Sequence, residues 1–295
     1  MDTLFGIPLP LFYGQLLLGL INGAFYAMLS LGLSVIFGLL GIVNLVHGAL
    51  FMTGAFTAWI LLDTFGLGFW WSLALAPLIV GAFGILIERL LLRHLYGLDH
   101  MYGLVLTLGL ALVIEGAFRN KYGSGGLAYQ IPDALRGATN LGFIVLPYYR
   151  GAVVGISLVV CLLTWALIEK TRLGARLRAA TENAPMVQAF GINVPVLVTL
   201  TYGAGVALAA CAGVLAAPIY SVNPQMGANL IIVVFAIVVI GGMGSIMGSV
   251  LSGFGFGVIE ALTKVFYPQA SSTVIFLCMV AVLLFRPSGL FGRRS

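Results

Sequence analysis

The sequence predicts an all-α polytopic membrane protein, and three observations carry that expectation. Hydrophobic residues make up 61% of the 295-residue chain and charged residues only 8%, against about 25% charged in an average globular protein. The few charges are also unevenly spread: none falls between Asp2 and Asp63, and none between Glu182 and Glu260. A crossing helix needs about 20 apolar residues to traverse a hydrocarbon layer of about 30 Å, so each gap holds more than one span. Finally, the apolar runs are continuous, whereas the strands of a transmembrane barrel would alternate apolar and polar residues over segments of about 10.

Taken in order, spans are expected near residues 11–31, 34–61, 69–90, 103–118, 150–168, 196–217, 228–241, 247–262 and 272–285, about nine within a range of eight to ten. The second stretch is too long for one plain crossing. It contains Gly38, Gly41, Asn44, His47, Gly48 and Gly54, and reads as a broken or re-entrant helix. Lipid tolerates such a break only where protein or a water-filled cavity satisfies the freed backbone groups. The run Gly241-Gly242-Met243-Gly244-Ser245 reads as a second break. GxxxG spacings at Gly19/Gly23, Gly244/Gly248 and Gly253/Gly257 suit close helix packing. The whole of residues 1–295 forms one transmembrane domain.

The balance of 14 Lys+Arg against 9 Asp+Glu gives a net charge of +5, which is read as topology rather than as affinity for nucleic acid. Cytoplasmic loops carry the excess of Lys and Arg. Lys170, Arg172, Arg176 and Arg178, the tail residues Arg286, Arg293 and Arg294, and Arg89 with Arg93 are therefore expected in the cytoplasm. Arg119, Lys121, Arg136, Arg150 and Lys264 fall on the other side. The path that results has its N-terminus outside and its C-terminus inside, an extracytoplasmic loop over 119–149 and a basic cytoplasmic loop over 169–195. No basic stretch precedes the first apolar run, so no cleavable signal peptide is expected.

The chemistry of catalysis is not in evidence. Each of Lys121, Lys170 and Lys264 lacks the preceding glycine of a phosphate-wrapping loop, having Asn120, Glu169 and Thr263 there instead. There is no HExxH, no GxSxG and no Cys/His cluster, so no enzyme, metal site or cofactor is expected. Cys161, Cys211 and Cys278 lie in apolar runs and read as small core residues. Glu88, Glu115 and Glu260 sit near span ends, where they read as interfacial charges; this argues against ion coupling, which needs an ionisable group within the membrane.

The polar residues left inside the spans are neutral: Asn22, Ser34, Asn44, His47, Thr53, Asn223 and Ser245. Such groups either line a solute path or make hydrogen bonds between helices. Asn44 and His47, beside the glycine-rich break, are the candidate path residues. In the cytoplasmic loop, Asn183 reads as an N-cap, Pro185 as a first-turn residue and Gly191 as the position just past the end. A short helix over 184–190 is expected, with Met186 and Phe190 one turn apart on a shared face and Val187 and Ala189 alongside. Such a helix suits either a groove on a partner protein or the lipid head groups.

Four segments, LSLGLSVIFGLLGIVNLVHGALFMTGAF, RLRAATENAPMVQAFGINV, VVIGGMGSIMGSVLSGF and LLFRPSGLFG, resemble in order the branched-chain amino-acid ABC transporter permeases. The likeness spans residues 12 to 292 and is greatest to the shorter, H-type subunit of the leucine/isoleucine/valine uptake system. It implies a non-catalytic subunit in a bacterial inner membrane, importing branched-chain or related amino acids. Its implied partners are a second related permease, two cytoplasmic ATPases and a periplasmic binding protein. It also implies that Ala180, Glu182, Met186, Phe190, Gly191 and Ile192 lie in the ATPase-coupling loop. The usual Glu-Ala-Ala of that motif is absent; Ala179-Ala180 precede Thr181-Glu182 instead. A proton- or ion-coupled secondary transporter, a channel-like membrane protein and a permease for urea or short amides remain the alternatives at this stage.

Overall fold

The computed structural model describes residues 3–4, 7–41, 43–96, 98–140, 142 and 144–292. Among them are eleven α-helices: α1 (Leu9–Leu40), α2 (Val46–Phe65), α3 (Phe69–Leu90), α4 (His100–Tyr122), α5 (Tyr148–Lys170), α6 (Arg172–Glu182), α7 (Ala184–Ala189), α8 (Val194–Ala216), α9 (Ala228–Gly241), α10 (Ile246–Phe266) and α11 (Val274–Phe285). Two short antiparallel pairs accompany them, β1 (Thr3–Leu4) with β2 (Ile7–Pro8) and β3 (Ala138–Asn140) with β4 (Val145–Pro147). The chain is an all-α polytopic membrane protein. Seven of the helices (α1 to α5, α8 and α10) are long and apolar enough to cross a membrane, and two shorter apolar helices, α9 and α11, complete the expected set. At 14 and 12 residues, with a rise of 1.5 Å per residue, the short pair reach only about 21 and 18 Å.

The first break falls within the glycine-rich interruption read from the sequence, but no gap occurs at residues 32–33: α1 runs on for 32 residues to Leu40 and ends at Gly41, whose φ of 63° closes it. Gly38, expected in the interruption, lies within α1, as does Gly32, and both allow close approach: a Cβ on Gly32 would stand 2.8 Å from the Gly205 carbonyl. Residues 43–45 then double back. His47, in the first turn of α2, hydrogen-bonds the carbonyl of Leu29, so α2 begins well short of the end of α1. The start of α9 is set back in the same way, with Gly227 packed directly on the backbone of Gly48. Two helices thus start inside the bundle, where surrounding protein satisfies the irregular backbone. The second expected break falls as read: α9 ends at Gly241, Gly242 takes φ 100°, and Ser245 caps α10 by accepting from the Gly248 amide.

The core is built on α1, α2, α8 and α10. The most extensive helix pair is α1 with α10, followed by α3 with α8. Phe51, Phe56, Met28, Tyr202 and Leu215 are fully buried between these elements. By contrast, α4 and α5 lie at the rim and expose Leu112, Val113, Leu162 and Leu163, an apolar surface that suits lipid. Cys161 is buried, and Cys211 and Cys278 are half-buried, in keeping with small packing residues.

The two ends of the bundle differ. At one, Gly38 of α1 meets Gly244, and the tail lays Leu290 and Phe291 on the carbonyls of Ile240 and Gly241 at 2.9 and 3.1 Å. At the other, Leu127 and Val222 exchange backbone hydrogen bonds of 2.8 and 2.9 Å beside the β3–β4 hairpin. The tail residues Arg293 and Arg294 lie outside the described residues.

The α1–α10 crossing is a contact of backbones. A Cβ on Gly257 would lie 2.3 Å from the Gly19 carbonyl, and one on Gly253 would lie 2.6 Å from the Ala27 Cα. Small residues at such a seam let dispersion and interhelical hydrogen bonds act where lipid supplies no hydrophobic force. Gly257→Leu should therefore separate α1 from α10 and destabilise the protein, at the cost of about 1–3 kcal/mol usual for overpacking or more. Thermal unfolding in detergent should show this as a lowered midpoint, whereas Gly255→Leu, at a position with open space around it, should leave the midpoint unchanged.

Candidate functional site

Two features carry the functional candidates: the loop between α5 and α8, and the polar residues where α2 begins. The loop folds into two helices. Only the second was expected from sequence; α6, an 11-residue helix over Arg172–Glu182, was not, because its basic residues read as a solvated run. Its arrival is dictated by Gly174, where a Cβ would overlap the Ile168 carbonyl at the end of α5. The Arg178 guanidinium then donates to that carbonyl at 3.1 Å and to Glu169 at 3.4 Å, fastening α6 beneath α5.

The short helix α7 covers Ala184–Ala189, one residue shorter than expected. Its start is as the sequence suggests: the Asn183 side chain accepts from the Met186 amide at 2.9 Å, and Pro185 occupies the first turn. At its end, Gly191 has φ 81°, a left-handed conformation that a β-branched residue resists. Met186 and Phe190 are 57% and 75% exposed, more than Leu173, the other large apolar side chain exposed in the loop. Val187 does not join them; it turns inward and is buried with Ala180 and Val194. Among the other expected coupling residues, Glu182 and Gly191 are exposed and Ile192 is half-buried against the Ala180–Val187–Val194 cluster.

The loop borders two cavities. A small cavity of about 90 Å³ is bounded by Gly38 of α1, Ile168 of α5, Leu177 and Arg178 of α6, and Gly244. A second, of about 290 Å³, lies between α7 and the end of α3, lined by Glu88, Arg93, Tyr96, Ala180 and Gln188.

Glu88 is the residue most at odds with the sequence reading. Expected at the interface, it is 1% exposed. Each carboxylate oxygen accepts a short hydrogen bond, one from the Tyr96 hydroxyl at 2.6 Å and one from Thr199 at 2.7 Å. These bonds join α3 to α8 next to the loop and offset the cost of burying the group. Burial, and then the bond to Glu88, hold the Tyr96 phenol well above the ordinary tyrosine value, so it stays a donor. Tyr96 lies only eight residues beyond Glu88, but Thr199 is 111 residues away and no local pattern in the sequence points to it. Glu115 and Glu260 behave nearer to expectation, each being largely covered but paired one turn on, with Arg119 and Lys264.

Asn44 and His47 are both buried, at 2% and 0% exposure. The Asn44 amide donates to the Tyr202 hydroxyl at 3.2 Å. His47 Nε2 lies 3.1 Å from the Leu29 carbonyl, which requires the proton on Nε2 and leaves Nδ1 a bare acceptor. Neither Asn44 Oδ1 nor His47 Nδ1 has a partner among the described residues. Two buried acceptors without donors thus mark the start of α2. Among the described residues no group of His, Cys, Asp and Glu is arranged to hold a metal ion.

The profile of the family described as branched-chain amino acid transport system, permease component, matches residues 15–283. The chain is 33% identical to the high-affinity branched-chain amino acid transport system permease protein BraD of Pseudomonas aeruginosa, with 95% of each chain covered. It is 29% identical to LivH of Escherichia coli K12, a permease protein of the same description, over 96% of each. It is 30% identical to the LivM permease protein of Salmonella typhimurium, covering 90% of this chain and 67% of that one. With the profile spanning most of its length, the chain belongs to the permease component family of the branched-chain amino acid transport systems.

Proposed function

We propose that this chain is the membrane-spanning, non-catalytic subunit of an ATP-driven importer of branched-chain amino acids in a bacterial inner membrane. The observation that carries the reading is the near-full-length match to the permease family together with relatives named for that transport. A periplasmic binding protein delivers the amino acid, two cytoplasmic ATPases supply the energy, and a second, related permease completes the pathway. The likeness of this one chain to both LivH and LivM supports pairing of two related subunits.

The N-terminus faces outward and the C-terminus the cytoplasm. Arg93 lines a cavity with the α6–α7 loop, and Lys170, Arg172, Arg176 and Arg178 lie in or beside that loop; the positive-inside bias puts that end of the bundle in the cytoplasm. There α7 seats Met186 and Phe190 in a groove of the ATPase. Burying two such side chains contributes about 1.5–3 kcal/mol each, and a rigid capped helix loses little entropy on docking. Because α6 borders the same cavity as Gly38 and Gly244, movement of the docked loop is felt next to α1 and the α9–α10 break. Asn44 and His47 line the route where α2 begins, and their bare acceptors supply weak, neutral contacts to a passing solute.

The assembled complex in vesicles should take up leucine only with binding protein and ATP supplied on their respective sides, and a protonophore should leave uptake unchanged. Uptake by this chain alone that collapses with the proton gradient would refute the reading. Phe190→Asp and Gly191→Val should each release the ATPases on purification, or leave them hydrolysing without transport, while the permease itself stays folded. Normal co-purification and normal transport in both variants would instead place the loop on the lipid surface. Asn44→Leu and His47→Leu should slow uptake several-fold with assembly intact, and wild-type rates in both would reduce these side chains to packing groups.

A further inference from the structure

A separate cavity, of about 350 Å³, opens between α1, α10 and the chain leading into α9, within the range of small-molecule clefts. Its polar side is made by groups that no single stretch of sequence brings together. Glu260 accepts from the Tyr26 hydroxyl across the helix pair at 2.8 Å and from Lys264 at 2.6 Å. Nearby, the Tyr220 hydroxyl donates to Asn22 at 3.0 Å, and Asn223 and Asn229 complete the polar wall. Phe25, Phe51, Met226 and Leu230 form the apolar wall.

An exposed Glu–Lys pair one turn apart on a helix is ordinarily a weak surface feature. Here the carboxylate is mostly covered, is held by a tyrosine from another helix, and faces a cavity. Ionisable groups within membrane-spanning segments are costly and mark solute paths. The two charges cancel, so the cavity matches a ligand that carries one charge of each sign close together and an apolar remainder.

We propose that this cavity is a transit subsite for a zwitterionic amino acid. Lys264 takes the α-carboxylate, Glu260 takes the α-ammonium, and Phe25, Phe51, Met226 and Leu230 receive the aliphatic side chain. The inference rests on the importer reading and adds the place and chemistry of substrate contact. In the empty state Glu260 and Lys264 satisfy each other. The ligand replaces that ion pair by two equivalent ones, so it enters without stranding a charge and without being held tightly. An amine lacking the carboxylate, or an acid lacking the ammonium, leaves one protein charge unpaired.

The test uses the complete complex in vesicles, with leucine as probe. Glu260→Gln and Lys264→Gln should each lower the maximal uptake rate about tenfold, the size of effect expected for a lost charged hydrogen bond. The half-saturating concentration should stay unchanged, because capture belongs to the binding protein. Tyr26→Phe, a nearly isosteric change, should lower the rate to a lesser degree. The double variant Glu260→Lys/Lys264→Glu restores an ion pair of reversed polarity and should remain slow, because the aliphatic side chain would then meet the polar wall. Wild-type rates in the single variants, recovery in the reversed pair, or loss of the second permease from the purified variants would overturn the subsite. Failure of the wild-type complex to take up leucine would remove the importer reading as well, whereas normal variants in a working complex remove the subsite alone.

Discussion

The contact of α1 with α10 through glycine is the constraint on which the remainder of the structure rests. Gly19 and Gly23 meet Gly257 with their backbones in contact, and Ala27 meets Gly253 in the same way. Only residues without bulk at these positions bring the helices close enough for Ser30 to donate to the Ser249 carbonyl at 3.1 Å and for Tyr26 to reach Glu260. The same pair defines both regions of functional interest. Toward one end it forms a wall of the polar cavity around Glu260; toward the other it brings Gly38 to Gly244, beside a cavity that α6 also borders. A close helix pair of this kind fixes the relative positions of the loop and the cavity without any charged bridge through the apolar middle.

A second theme is economy in satisfying buried polar groups. Membrane interiors provide no water to unpaired donors and acceptors, and this chain places most of its polar atoms where a partner from another helix awaits them. Glu88 receives two hydroxyl donors, Tyr149 donates to the Leu215 carbonyl at 2.9 Å, and Thr107 holds the doubled-back segment by bonding the Val43 carbonyl and the Leu45 amide. Asn44 Oδ1 and His47 Nδ1 are exceptions, as are the hydroxyls of Tyr129, Ser157, Ser249 and Ser252, but only the first two cluster at the point where α2 starts inside the bundle.

Composition and spacing made much of this legible. The charge gaps revealed the class, and the apolar runs located α3, α4, α5, α8 and α10 to within a few residues, with the short α9 matching its expected range of 228–241, whereas the boundary between α1 and α2 lies further along than the runs suggest. Local rules served well where they act locally: Asn183, Pro185 and Gly191 behave as a cap, a first-turn residue and a left-handed stop. The reading failed where a residue's role depends on distant partners. Gly38 looks like part of a helix break in isolation but is a contact point for Gly244 within α1. Glu88 looks interfacial because one of its two donors, Thr199, comes from a distant helix, and the basic run over 172–178 concealed a helix because its anchor is the carbonyl of Ile168. The Tyr26–Glu260–Lys264 group shows both limits: the Glu–Lys spacing is visible in sequence, the tyrosine is not.

The most direct measurement is one that asks whether α1 and α10 stay together while the transporter works. Thiols introduced at Ser30 and Ser249, where the two helices already share a hydrogen bond, can be joined by oxidation or by a short bis-thiol linker in the complete complex. If the glycine crossing is a permanent contact, the cross-link should form readily in membranes and ATP-driven uptake should continue at close to the uncross-linked rate. A cross-link that forms only in one stage of the ATP cycle, or that forms and halts uptake reversibly, would contradict the account.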